Sequence, residues 1–126
     1  MKTKIIIILL AISFISLFFQ TKTAKACDIQ FEIVDGEKTT YAVGDVVVVK
    51  VTITFIHRVC SSGIKSTEFD ATGMDIVAAT DWTESTTNIW TRKIKLKVTE
   101  AGKLELSASR SCDKEGGFGS ILLSAK

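Results

Sequence analysis

Gly44-Asp45-Val46-Val47-Val48-Val49-Lys50-Val51-Thr52-Ile53-Thr54-Phe55 is the stretch from which the fold class follows. Val47, Val49, Val51, Ile53 and Phe55 form one apolar face. Val46, Val48, Lys50, Thr52 and Thr54 form the other. A period of two in β-branched residues belongs to a strand, because successive side chains leave opposite faces of the pleated backbone. The same alternation recurs downstream. Trp90, Ile94, Leu96 and Val98 oppose Lys93, Lys95 and Lys97, and Leu104, Leu106 and Ala108 oppose Glu105, Ser107 and Ser109. Upstream, Ile29, Phe31 and Ile33 alternate with Gln30 and Glu32.

Weaker strand patterns run from Ile64 to Asp70 and from Met74 to Ala79. A Gly-rich loop at 116–119 precedes a last strand with Ile121 and Leu123 inward. Asp35-Gly36-Glu37 and Glu100-Ala101-Gly102 read as turns, and Thr83 to Asn88 as a polar loop. No segment sustains a 3.6-residue apolar period, so little or no helix is expected. The predicted strands are 29–34, 45–56, 64–70, 74–79, 89–98, 103–110 and 119–125. Roughly seven short alternating strands in about 100 residues predict an all-β, antiparallel two-sheet sandwich, with a small closed barrel as the alternative.

The first 26 residues stand apart. A basic start (Lys2, Lys4), an apolar run from Ile5 to Phe19 and Ala24-Lys25-Ala26 make up a secretory signal peptide, with cleavage expected after Ala26. The run is short for a spanning helix, which needs about 20 apolar residues. Removing residues 1–26 takes away Lys2, Lys4, Lys22 and Lys25. The 16 basic residues of the whole chain then fall to 12 against 14 acidic ones, and the net charge becomes −2 in place of +2. The basic balance therefore belongs to the targeting segment, and nucleic acid is not an expected partner. Residues 27–126 read as one exported domain, periplasmic or extracellular, with no second membrane span.

Tyr41-Ala42-Val43-Gly44-Asp45, leading into the strand quoted first, resembles the second-strand motif of bacterial immunoglobulin-like modules, including the cell-adhesion-related domains of exported proteins. The resemblance covers about a tenth of the chain. It implies an immunoglobulin-like strand order and carries over no functional residue, since this sandwich hosts many functions. The chain departs from antibody-type domains: its cysteines sit just beyond strands, and no Trp follows in the third strand.

In that strand order, Cys27, the residues after the second strand (His57, Cys60) and the residue after the sixth (Cys112) gather at one end. Three chemistries could use the cluster. Export favours oxidation, and Cys60–Cys112 is the preferred disulfide, while pairing of Cys27 with either stays open. Cys27 would be the first residue after cleavage, so a lipid anchor there is a second reading. Ala24 and Lys25 fit a lipoprotein signal poorly. Cys27, His57, Cys60 and Cys112 are also a legitimate tetrahedral set for zinc or another transition metal, although a lone His-x-x-Cys is a weak motif. One histidine cannot build a blue-copper site.

The chain lacks a Gly-x-Ser-x-Gly elbow and a Cys-x-x-Cys pair, so neither hydrolytic nor thiol-redox chemistry is indicated. Arg58, Arg110 and Lys114 read as solvated loop residues beside the cysteines. Trp82, Asp113 and Lys114 are candidate binding-loop residues, with Trp82 equally readable as a cap on the core. No catalytic residue and no resident cofactor are expected. The expectation is a non-enzymatic module with a binding or structural role, its partner a protein or another cell-envelope component. The alternative is a metal-binding or electron-transfer accessory protein.

Overall fold

In the computed structural model the described residues are 27–56, 63–111 and 116–126. The expected signal peptide at 1–26 and the segments 57–62 and 112–115 lie outside them. Eight strands follow one another: β1 (Cys27–Asp35), β2 (Val46–Phe55), β3 (Glu68–Thr72), β4 (Met74–Ala79), β5 (Thr83–Thr86), β6 (Ile89–Val98), β7 (Gly102–Ser111) and β8 (Gly116–Ala125). One five-stranded sheet has the order β1-β2-β6-β4, with β5 also paired to β6. The other sheet is β3-β7-β8. All strand pairs within the sheets are antiparallel.

The alternation read from the sequence is the alternation that packs. Val47, Val49, Val51 and Ile53 of β2 are fully buried, as are Leu96 of β6 and Leu104 and Leu106 of β7. Each such side chain stabilises the fold by roughly 1.5–3 kcal/mol relative to exposure. Lys93, Lys95 and Lys97 point to solvent from the same strand that buries Ile94, Leu96 and Val98.

Four local expectations need correction. Thr83–Thr86 is a strand, paired with Ile89–Thr91, so the count is eight. All four of its residues are exposed. An edge strand that buries neither face carries no apolar alternation to read. The chain reverses through Asn88, whose φ of 67° is one that Asn tolerates. The 64–70 strand begins late, because Ile64–Ser66 forms a 3₁₀ turn that buries Ile64. Cys27 opens β1 rather than preceding it.

Residues 116–119 belong to β8, and glycine is required there for packing rather than for turning. At the open edges of the two sheets, β1 and β8 approach closely. A Cβ on Gly117 would lie 2.8 Å from both the Cβ and the carbonyl oxygen of Cys27. A different glycine lets the chain change sheets. Gly73, between β3 and β4, has φ of +73°, and a Cβ there would meet Leu104 Cδ2 at 2.6 Å.

The far end is closed by Tyr41. Its N–H donates to Ser124 O, and its carbonyl accepts from Lys126 N, both at 2.9 Å, strapping the β1–β2 connection onto β8. Asp45 shapes the turn into β2 by accepting from Ala42 N–H and Lys38 Nζ, each at 2.9 Å. The Lys38 bond first, and the Ala42 amide second, hold its carboxyl below the ordinary value of 3.8.

Candidate functional site

Cys27 marks the end of the sandwich where the sequence places its unusual residues. It pairs with Phe55, the last residue of β2, and Gly117 at the start of β8 packs against it. The amide of Phe55 donates to Asn88 O at 2.8 Å, which brings the β5–β6 turn to the same end. Ser111, at the end of β7, pairs with Gly116. The residues that flank 57–62 (Ile56 and Gly63) and those that flank 112–115 (Ser111 and Gly116) therefore belong to the Cys27 end. His57, Cys60, Cys112, Asp113 and Lys114 themselves lie outside the described residues. Cys27 is fully buried and has no disulfide partner among the described residues. Among the described residues no group of three or more His, Cys, Asp or Glu is placed to hold a metal ion.

Arg110 organises this end, and its expected role as a solvated loop residue is overturned. It is 4% exposed. Nη1 donates to Gly63 O and Ile64 O, each at 3.1 Å, and to Thr67 Oγ1. The guanidinium carbon sits 4.8 Å from the centre of the Phe55 ring. One side chain on β7 thus fixes the 3₁₀ turn that enters β3 and the last residue of β2. A buried arginine is tolerable only where its donors find acceptors and a ring face, and this end supplies both. In the sequence, Arg110 continues the inward series Leu104, Leu106, Ala108. That parity marks an inward side chain, although the charge alone points to a solvated one.

Trp82 is half-buried and packs against the core, which favours the cap reading over that of a free contact residue. Its ring stacks on Phe69 of the other sheet, with centroids 6.1 Å apart and planes 22° from parallel. Arg92 lies over both rings, 5.6 Å from the centre of Trp82 and 6.0 Å from that of Phe69. Trp82 therefore bridges the two sheets across the side formed by β3 and β5.

No protein-family model, no curated protein sequence and no solved structure matches this chain. No helix among the described residues is long and apolar enough to cross a membrane.

Proposed function

We propose that this chain is an exported, non-enzymatic immunoglobulin-like module that binds or links a protein or cell-envelope partner through its cysteine-bearing loop end. The immunoglobulin-like part of the reading is supported by the strand order. With β5 set aside, β1-β2-β6-β4 against β3-β7-β8 matches the A-B-E-D and C-F-G sheets of that architecture. The observation that carries the functional part is the convergence at Cys27. The chain enters and leaves both cysteine-bearing segments at one rigid end, anchored by the buried Arg110.

Within this reading Cys60 and Cys112 form a disulfide that ties the two loops. The pairing is supported by their matched placement, each just beyond a strand (β2 and β7) that ends at the Cys27 end. The burial of Cys27 argues against a lipid anchor, since an acylated sulfur has to reach the bilayer. Cleavage after Ala26 then gives a mature protein starting at Cys27.

Intact mass and peptide mapping of the protein recovered from outside the cytoplasm test the covalent claims. A mass starting at Cys27 and a Cys60–Cys112 peptide are expected. Acyl increments would restore the anchor. Three free thiols with stoichiometric zinc would replace the disulfide by a Cys27, His57, Cys60, Cys112 metal site. The binding claim is tested with a photo-crosslinking residue placed at Ile56, beside the loops, or at Lys95 on the outer face of β6. Both positions are exposed. Discrete adducts from position 56 alone are expected, and equal labelling from both would overturn the assignment of the surface.

A further inference from the structure

The outer edges of the two sheets differ in what they offer a further strand. β1 and β8 lie against each other, with Gly117 packed on Cys27. β4 and β5, at the other margin of the five-stranded sheet, each carry an irregularity in their pairing with β6, which blunts an edge. β3 is regular. It pairs with β7 in unbroken register from Glu68 to Thr72, and no described residue pairs with its other side. That side keeps a row of backbone donors and acceptors, a template for another chain.

Beside this edge the inner layer is incomplete. Ile76 and Ala79 of β4 pair with the buried residues Leu96 and Ile94, so they stand on the inward side of their sheet. Both are nevertheless exposed, Ile76 at 42%. Among the described residues the three-stranded sheet ends at β3 and does not cover them. Phe69 and Ala71 of β3 pair with buried Ala108 and Leu106 and therefore also face inward, yet they are only partly buried, as is Trp82. The outward side of β3 is acidic. Glu68 and Asp70 are exposed, and Glu105 of β7 stands opposite Thr72.

We propose that the β3 edge takes up an extended segment of a partner protein as a further strand, and that this segment alternates apolar and basic residues. Backbone bonds supply the affinity of such an addition, and alternate side chains supply its selectivity. The apolar set covers Ile76 and Ala79 beside Phe69 and Trp82. A cation is disfavoured on that side, because Arg92 already lies over both rings. The basic set falls opposite Glu68 and Asp70, where opposite charges across a ladder are favourable. A second copy of this chain fits poorly. Two β3 edges joined antiparallel about Phe69 or Asp70 set carboxylate against carboxylate, and like charges so placed destabilise a sheet. The edge is distinct from the loop end, so either surface can fail without the other.

The probe is a capped heptapeptide of alternating Val and Lys, titrated into the full exported protein and followed by NMR. Peptides alternating Val with Glu, or Ser with Lys, are the comparisons. Saturable shifts in the Glu68–Thr72 amides and the Trp82 indole N–H are expected, with new hydrogen-exchange protection along β3. Glu68→Gln combined with Asp70→Asn should weaken the Val-Lys peptide about tenfold, or about two- to fivefold for each ladder pair. Both residues are exposed, so the variant should fold. Glu32→Gln, on the outer face of the other sheet, should bind as the parent does. N-methylation along the peptide's pairing edge should abolish binding, whereas a contact made by charge alone would survive it. Equal binding of either comparison peptide, survival of the N-methylated one, or no saturable binding of the Val-Lys peptide would overturn the proposal. A dimer of the protein alone, with protection along β3, would assign the edge to a second copy and overturn it as well.

Discussion

The two ends of this sandwich are closed by different chemistry. At the Cys27 end the closure is internal: buried Arg110 donates to backbone carbonyls and Thr67, lies over Phe55, and Gly117 lets β8 come down onto Cys27. At the Tyr41 end a buried ring is joined by peripheral polar contacts. A backbone strap joins Tyr41 to β8, and an exposed Lys38–Asp45 ion pair of 2.9 Å shapes the turn. Water and salt can replace the Lys38–Asp45 pair but almost none of the Arg110 arrangement. The described flanks of 57–62 and 112–115 thus rest on a base of buried polar contacts, as the proposed loop platform needs.

The comparison rests on one core shared by both ends, and the largest effect is expected from breaking that core. Val51→Asp, at a fully buried centre of β2, should abolish cooperative unfolding by circular dichroism, because an unpaired charge would be buried. Lys95→Asp, facing outward on β6, should leave it intact. Equal tolerance of the two would refute the register.

Next comes the Cys27 end alone. Arg110→Ala should cost about 2–4 kcal/mol in urea denaturation, since buried acceptors lose their donor and Phe55 loses its cation. The loss should change little between low and high salt. Hydrogen exchange should then rise first at Gly63–Thr67 rather than at Tyr41. Gly117→Val should cost about 1–3 kcal/mol by forcing β8 away from Cys27. An unchanged denaturation midpoint in that variant would mean that the two edges are not in contact.

The smallest effects belong to the Tyr41 end. Tyr41→Phe removes the hydroxyl that accepts from Lys38 N–H at 3.1 Å, for a loss of about 1 kcal/mol. Asp45 provides the pH-dependent member. Its carboxyl titrates below the ordinary value in the folded chain, so its contribution is present above the unfolded pKa and fades as pH falls through the lowered folded one. Asp45→Asn should therefore lower Tm slightly near neutral pH, more at low salt than at high. The gap should close as the pH is taken below about 3.8. A gap that persists there would assign the effect to turn geometry rather than to charge.

The all-β class, the facing of the strands and most of the core were legible in the residues alone, because a period of two is a local property. Val47, Val49, Val51, Leu96 and Leu106 needed only their neighbours to declare which way they face. An assumed strand order also predicted that the cysteine-bearing segments share one end, and their described flanks, Ile56, Gly63, Ser111 and Gly116, do so. The tertiary structure decided what depends on the meeting of distant residues. Arg110 is core rather than loop because Gly63, Ile64, Thr67 and Phe55 supply acceptors and a ring from two other stretches of chain. Gly117 is a packing residue because β1 lies against it, and Thr83–Thr86 is a strand because β6 has an open edge to offer. That Lys50 stands opposite Lys93, and Arg92 opposite buried Val51, is likewise a product of pairing between β2 and β6. Alternation records the side of a sheet on which a residue falls. What waits on that side is set by chain that lies tens of residues away.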